Sequence, residues 1–337
     1  MTRISVRSRW EAFWFEPSPA IGLAICRVLF FGAFLLYYLR INYTELGNLP
    51  PHAWRAVWPF APLGLGLPSA STLDMLQWVW RVSLFAACIG VMWRMASLVA
   101  FVLGLYLIGL SENLARINHS DAIVVFGLAV MALSRGADTF SVDALRGRTS
   151  KRGPCPSGEY TWPIRAMWLV MATIYFAAGI TKLATSGVVW VTSANLANLL
   201  MLGPVTSAPL TGLGQEIGRH AVLSSGLAAL ALMIELSMPL ALVSTAARLI
   251  LVPALFIMQV SIRALMGPGF TEFFICGLFW IPWGRVAERS ITAGFRHRES
   301  QRWRHAPSRR TEFRERRAAA DSDPDPRSRT RRLESSE

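Results

Sequence analysis

Long apolar stretches alternate with short polar segments along most of this chain. Apolar runs of about 18 residues or more indicate helices that cross a membrane. Apolar stretches occupy residues 20–39, 73–93, 95–110, 122–133, 164–183, 222–243, 248–265 and 270–283. The pattern therefore predicts an all-α fold, a polytopic integral membrane bundle of about eight transmembrane helices, with short fourth and eighth members.

The polar segments divide the chain into three parts. Residues 1–19 mix arginines with four aromatic side chains, which predicts an amphipathic lead-in at the membrane interface. Residues 20–283 form the transmembrane domain. Residues 284–337 are rich in Arg, Pro, Ser and Asp and poor in apolar side chains, so we expect a disordered basic tail near the anionic leaflet.

Composition and charge placement support this interpretation. The chain of 337 residues is 53% hydrophobic and 16% charged, with a net charge of +13. The arginines concentrate in the loop 134–163 and in the tail, as in membrane proteins whose basic loops stay in the cytoplasm, rather than in a nucleic-acid surface. We therefore expect both termini in the cytoplasm, insertion in the cell inner membrane, the lipid bilayer as partner and no nucleic acid. Loops 40–71 and 184–221 would then face outside.

The four cysteines indicate neither a disulfide framework nor a metal site. Cys26, Cys88 and Cys276 lie in apolar stretches and Cys155 lies in a basic loop. The chain has no CxxC motif and no cluster of His and Cys. We expect no bound metal.

Lys182 is the most unusual basic residue. The chain has only two lysines, Lys151 and Lys182, and every other permanent cation is an arginine. An arginine stays charged, whereas a desolvated lysine can become neutral and act as a base. The alternative is an interfacial lysine whose ammonium reaches the lipid headgroups.

Charged side chains inside apolar stretches usually face the bundle interior. The candidates are Arg27, Arg81, Glu235 and also Glu272. A structural ion pair between Glu235 and one of the arginines is expected, because burying either charge alone is costly. The arginines could instead bind an anionic headgroup or substrate.

His119 is the second candidate for proton chemistry. It stands in the segment 118–121, NHSD, and the orientation above brings it to the same external face as Lys182. Histidine exchanges protons near neutral pH. The same segment could simply cap the next helix, since Asn, Ser and Asp are favoured at helix starts.

Several of these segments match one family together. They are Cys26-Arg27-Val28-Leu29-Phe30-Phe31-Gly32, Asn118-His119-Ser120, the loop 141–145, the stretch 175–183 with Trp190, and Glu235-Leu236-Ser237. In this order and spacing the chain resembles the vitamin K-dependent gamma-carboxylase-like family, whose bacterial members are described as carrying the HTTM (horizontally transferred transmembrane) domain. The resemblance covers roughly residues 20–283.

The resemblance implies a carboxylase-like enzyme that uses a reduced quinone of the vitamin K or menaquinol type. In the family a lysine deprotonates the reduced quinone, which reacts with oxygen to form a strong base. That base removes a proton from a glutamate side chain of a protein substrate, and carbon dioxide adds. Lys182 matches the family's base and His119 its active-site histidine. The resemblance also implies an external-facing site.

Three departures limit what the resemblance implies. A basic tail stands where the carboxylases carry a β-rich region that docks the substrate, the paired lysine of better-known members is Thr181-Lys182, and no histidine occurs around Met258-Gln259. The sequence therefore leaves open whether a separate protein acts as substrate or as docking partner.

Two functions stay open. The first is a quinone-using membrane enzyme with Lys182 as general base, in which His119 and Lys182 line one cavity and Lys182→Met leaves folding nearly intact. The second is a non-catalytic scaffold, a lipid-binding protein or a transport or assembly component on the same helices.

Overall fold

A computed structural model of the chain describes residues 6–50, 52, 54–55, 60–64, 66–113, 119–147, 155–202 and 207–288, without the side chains of residues 6, 7, 9 and 119. The chain divides into a compact unit, Met1–Arg285, and a second unit, Val286–Glu337. Only residues 286–288 of the second unit are described, so the predicted disorder of the tail falls outside the described residues.

The described part of the chain is helical. The α-helices are α1 Val6–Phe15, α2 Ala20–Tyr38, α3 Ala70–Ile89, α4 Trp93–Glu112, α5 His119–Leu133, α6 Val142–Leu145, α7 Trp162–Ser186, α8 Val189–Thr192, α9 Asn195–Met201, α10 Thr211–Arg219, α11 Ala221–Ser237, α12 Leu240–Val243, α13 Thr245–Met266 and α14 Thr271–Gly277. Short 3-10 turns occupy Thr44–Asn48, Gly158–Tyr160 and Leu278–Trp280. The predicted all-α class is confirmed.

Helix boundaries follow local capping chemistry. Ser69 accepts a hydrogen bond from Thr72 N at the start of α3, and Ser244 accepts one from Ala247 N at the start of α13. Gly90 ends α3 in the left-handed region at φ 69°. Hydroxyl caps satisfy the free N–H groups of a first turn, and glycine enters the left-handed region without strain.

The core forms around α2, which packs against α3 and α14. Phe30, Phe31 and Phe34 of α2 are fully buried, and Phe30 also packs edge-to-face on Phe279. Helices adjacent in sequence, from α2 to α5, pack pairwise, and α7 contacts both α5 and α11.

The outer surface of the bundle is apolar, as expected of lipid-facing helices. On α13 the side chains of Leu249, Ile250 and Ile257 are exposed, and Val82 and Phe85 are exposed on α3. A soluble monomer rarely exposes apolar surface on this scale. The distribution indicates a membrane protein.

Four helices in the described part are long and apolar enough to cross a membrane: Ala20–Tyr38, Trp93–Glu112, Gly158–Ser186 and Thr245–Met266. A fifth span results if α10 and α11, bent by 106°, are taken together. Ser120–Leu133 and Thr271–Trp280 are apolar but shorter. The expected count of about eight transmembrane helices is therefore not confirmed.

The long helix α7 connects two ends of the bundle. At its start, α1 packs on α7 and the backbone of Ser18 pairs with that of Ser157; we call this the α1 end. Near its last turns lie Lys182 and the short helices α8 to α10; we call this the Lys182 end. The 17 residues from Arg165 to Lys182 correspond to about 25 Å along a helix.

Candidate functional site

Lys182 lies on α7 one turn after Gly179, where α7 crosses α11. A Cβ added at Gly179 would lie 3.0 Å from Leu236 Cδ2 and 3.2 Å from Glu235 Cβ, so the glycine permits the close approach. This approach brings Lys182 Nζ to 2.5 Å from Oε1 and 2.6 Å from Oε2 of Glu235. The ammonium donates to both oxygens of one carboxylate, which forms a charge-assisted ion pair.

The two partners differ in exposure. The side chain of Glu235 is 8% exposed, whereas that of Lys182 is 27% exposed. The ring of Trp190 on α8 lies 4.8 Å from Nζ, within cation–π distance. The carboxylate of Glu235 is enclosed by protein, and the amine of Lys182 is partly exposed at the protein surface.

This pairing corrects the expectation that Glu235 pairs with an arginine. Among the described residues Glu235 pairs with Lys182, while Arg27 and Arg81 donate to backbone carbonyls. The prediction that Glu235 has a cationic partner is confirmed, but the prediction that this partner is an arginine is wrong. The signal available in the sequence was Gly179, one turn before Lys182, which marks where another helix can approach.

Arg81 stabilises the end of α2. Its guanidinium donates to Tyr38 O at 3.2 Å and to Ile41 O at 2.6 Å, and it lies 5.0 Å from the Trp78 ring. Carbonyls at a helix C-terminus have no partner within the helix, and a cation is favoured there. The geometry gives Arg81 a structural role.

Arg27 of α2 binds the segment that connects α5 to α7. Its guanidinium is fully buried and donates to Phe140 O at 2.5 Å, and it lies within electrostatic reach of Asp143. Phe140 adopts φ 52°, a strained conformation for a residue with a side chain. Asp143 in turn accepts a hydrogen bond from Trp93 N at 2.9 Å. Arg27 and the loop 141–145, both part of the family pattern, thus meet at the α1 end, away from Lys182.

The sequence names Glu272 as a candidate but predicts neither of two polar pairs near the Lys182 end. Tyr37 donates to Glu272 Oε1 at 2.6 Å, and Gln259 donates through Nε2 to the Tyr175 hydroxyl at 2.7 Å. Tyr175 also lies within electrostatic reach of Glu235. A polar residue in an apolar stretch, such as Gln259, is the sequence signal that could have found them.

Three buried polar atoms in or beside these pairs have no hydrogen-bond partner among the described residues. They are Glu272 Oε2, Gln259 Oε1 and the hydroxyl oxygen of Tyr38. A buried polar atom without a partner is rare and costly, and it often marks a place for a water molecule, an ion or a ligand. Two of the three are acceptors, so they fit a ligand that carries hydroxyl groups.

His119 is the first residue of α5, and its side chain lies outside the described residues. Asp121, in the first turn of the same helix, lies within electrostatic reach of Tyr37 and Tyr38. Burial raises the pKa of Tyr43, with Asp121 acting in the same direction and Arg81 opposing it. The start of α5 therefore lies beside the Tyr37–Glu272 pair.

The Lys182 end can hold and exchange protons. The ion pair supplies an amine and a carboxylate in direct contact, and the neighbouring tyrosines supply hydroxyl groups. No group of three His, Cys, Asp or Glu side chains within the described ranges is placed to hold a metal ion.

The HTTM domain model matches residues 15–280, so the chain belongs to the HTTM domain family. The match covers the helices from α2 to α14, including the contact of Lys182 with Glu235. No curated protein and no solved structure matches the chain.

Proposed function

We propose that this HTTM protein is a membrane enzyme in which Lys182 and Glu235 act together as the base that deprotonates a hydroxyl group of a reduced quinone. The observation that carries the proposal is the contact of Lys182 Nζ with both carboxylate oxygens of Glu235 at 2.5 and 2.6 Å. The amine of Lys182 is the base, and the adjacent carboxylate of Glu235 can accept the proton that the amine carries before the reaction.

The pair solves a difficulty that a lone lysine would face. An amine accepts a proton only in its neutral form, and Lys182 beside Glu235 rests as an ammonium. Transfer of that proton to Glu235 leaves a neutral amine and a neutral carboxylic acid, so no isolated charge remains in the apolar bundle. The amine can then take a proton from a hydroxyl group, and Glu235 keeps the proton that it received from Lys182.

The residues nearby suit a reduced quinone. Glu272 Oε2 and Gln259 Oε1 are buried acceptors without a partner among the described residues, and Phe273 stands beside Tyr175 with 5.0 Å between ring centroids. Hydroxyl groups could satisfy the acceptors, and aromatic side chains favour a flat ring. When bound, a reduced quinone would supply the acidic hydroxyl and the electrons, and molecular oxygen would be the oxidant, as the family resemblance implies.

The other parts of the proposal rest on the resemblance and on charge. His119 begins α5 beside the Tyr37–Glu272 pair, which suits a group that moves or stabilises a proton. The arginine distribution favours an inner-membrane protein with the Lys182 end outside and both termini inside. The acceptor of the chemistry, a protein substrate or a docking partner, would approach from that side.

A non-catalytic scaffold is the second candidate. Both oxygens of Glu235 are engaged by Lys182, and Trp190 lies over the amine, as in an ion pair whose purpose is structural. Gln259 stands where a histidine was expected and donates to Tyr175. These contacts favour a role for Lys182, Glu235 and Gln259 in stabilising the fold rather than in catalysis.

Oxygen consumption driven by a reduced naphthoquinone, with chromatography of the quinone epoxide, tests the enzyme. The protein would be purified in detergent and compared with the double variant Lys182→Met/Glu235→Gln, which removes both charges and leaves no lone ion. Replacement of Lys151, the other lysine, is the matched control. We expect epoxide from the wild type and from the Lys151→Met variant, and none from the double variant at the same melting temperature. No epoxide from any of them, across several quinones, would support the scaffold.

A further inference from the structure

Three arginines gather at the α1 end, about 25 Å along α7 from Lys182. Arg165 lies in the first turn of α7, Arg248 in the first turn of α13 and Arg285 after the last 3-10 turn. The guanidinium carbons of Arg165 and Arg248 both lie 4.1 Å from the ring centroid of Trp168. Two cations therefore share one indole ring, and Arg285 is close enough for its charge to act on Arg165.

Trp168 is a rigid platform. Its ring stacks on Trp280 at 4.7 Å with an interplanar angle of 10°, and its Nε1 donates to Phe279 O at 2.8 Å. Trp280 Nε1 contacts Met171 Sδ at 3.1 Å. Because both indoles are fixed by hydrogen bonds and stacking, the two guanidinium groups are held in place.

Among the described residues, Arg165 has one long ion pair and Arg248 contacts backbone carbonyls. The ion pair of Arg165 is with Glu16 at 3.7 Å, and the carboxylate side chain is 69% exposed whereas the arginine is 17% exposed. Arg248 donates to the carbonyls of Ala241 and Leu242. Arg165 and Arg248 are partly buried, and Arg285 is exposed. Like charges held close together repel, so an anion placed among them would be stabilised.

The helix termini add to the same potential. Arg165 N and Arg248 N each donate the first hydrogen bond of their helix, to Thr161 O and Ser244 O. Helix N-termini carry partial positive charge, which disfavours cations and favours anions there. The arginines in the first turns of both helices therefore add positive charge where an anion is already favoured.

The surroundings point to a lipid. Phe13 of α1 lies 5.2 Å from the Arg165 guanidinium, and the buried Nε1 of Trp14 has no acceptor among the described residues. A groove of about 580 Å³ runs along α1 past Arg165, and its wall includes Phe13, Phe15, Glu11 and Glu16. Aromatic rings suit acyl or glycerol groups at a membrane interface, and the carboxylates can accept hydrogen bonds from headgroup hydroxyls.

We propose that Arg165 and Arg248 bind the phosphate of an anionic phospholipid on the Trp168 platform at the α1 end, with Arg285 nearby adding positive charge. Arginine guanidinium groups match phosphate oxygens in charge and geometry. The groove along α1 takes a headgroup with hydroxyls, as in phosphatidylglycerol. The site is separate from the Lys182 end and does not depend on quinone chemistry.

Thermal unfolding of the purified full-length protein in non-ionic detergent tests the site. Phosphatidylglycerol, phosphatidylcholine and inorganic phosphate are added at equal concentrations. We expect phosphatidylglycerol at saturation to raise the melting temperature by about 5 °C more than phosphatidylcholine does. An equal shift with inorganic phosphate would assign the site to free phosphate and overturn the lipid assignment. Equal shifts for the two lipids would overturn the site.

Substitutions of the arginines test where phosphatidylglycerol binds. Arg165→Gln/Arg248→Gln should weaken phosphatidylglycerol binding at least about tenfold. The matched control is Arg219→Gln at the Lys182 end, where an arginine with a 66% exposed side chain already pairs with Glu216. Equal affinity in the cluster variant and the control would contradict the proposal.

The wild type alone gives a second test if the cluster variant does not fold. Native mass spectrometry would count bound phosphatidylglycerol as salt is raised, because charge pairing at an accessible site is screened by salt. We expect the bound fraction to fall several-fold between low and high salt. A bound fraction that does not change with salt would overturn the arginine–phosphate contact.

Discussion

Lys182 and Arg27 are both basic side chains of the family pattern inside the bundle, yet their surroundings differ. Lys182 contacts one carboxylate through both oxygens and is 27% exposed. Arg27 is fully buried, donates to a strained backbone carbonyl and lies near a carboxylate already bound to Trp93 N. A cation with a direct carboxylate partner and some access can exchange a proton, whereas one enclosed by backbone groups holds structure. Similarity to a family pattern therefore does not by itself separate reactive residues from structural ones.

The largest effect is expected at Arg27. Arg27→Met removes the hydrogen bond to Phe140 O and the positive charge near Asp143. Loss of one partner from a buried charged contact destabilises by about 3–5 kcal/mol. Thermal unfolding in detergent should show a large fall in melting temperature or a loss of folded protein. An unchanged melting temperature would contradict the structural role.

A smaller loss is expected at the ion pair. Lys182→Met leaves the enclosed carboxylate of Glu235 without its partner, which replaces the expectation from sequence that this variant folds nearly normally. We expect a loss of about 3 kcal/mol, largely recovered in Lys182→Met/Glu235→Gln. A double-mutant cycle from thermal unfolding measures the coupling. Additive single effects would show that the two side chains do not interact.

Gly179 allows the close approach of α7 to α11 at the Lys182 end and lies far from Arg27. Gly179→Val would crowd Leu236 and Glu235 on α11 and should destabilise by about 1–3 kcal/mol. It should also push α11 away and lower any quinone-driven oxygen uptake. The matched control is Gly226→Val on α11, where an added Cβ meets no atom within 4 Å. Equal losses for the two variants would contradict a specific crossing at Gly179.

The smallest effect is expected at Gln259. Gln259→Leu removes one hydrogen bond to Tyr175 together with an oxygen that has no partner among the described residues, so the change should be about 1 kcal/mol or less. Under the enzyme proposal the same variant should raise the KM for a reduced naphthoquinone. Tyr175→Phe is the companion variant that removes the hydroxyl and keeps the ring. Unchanged KM values in both would place the ligand elsewhere.

The helical class could be predicted because a bilayer requires long apolar segments, which are visible in any sequence. The number of crossings could not be predicted, because α3 carries several polar side chains and two other apolar helices are short. Ser71, Thr72, Asp74 and Gln77 make α3 more polar than its neighbours.

Candidate side chains were easier to predict than their partners. Lys182 stood out because arginine replaces lysine almost everywhere else. Its pairing with Glu235 depends on how α7 crosses α11, and a requirement for charge balance does not say which cation meets which carboxylate. The Tyr175–Gln259 pair has no charge to balance, so only an amide within an apolar helix hinted at it.

Infrared difference spectroscopy tests most directly whether Lys182 passes its proton to Glu235. The protein in lipid vesicles would be mixed with a reduced naphthoquinone under argon, which prevents the reaction with oxygen. Glu235→Gln and Glu272→Gln assign the carboxyl bands, since both carboxylates are buried. We predict a new protonated-carboxyl band that is lost in Glu235→Gln and kept in Glu272→Gln. No change in the carboxyl region of the wild type, with the quinone shown to be bound, would contradict proton transfer from Lys182 to Glu235.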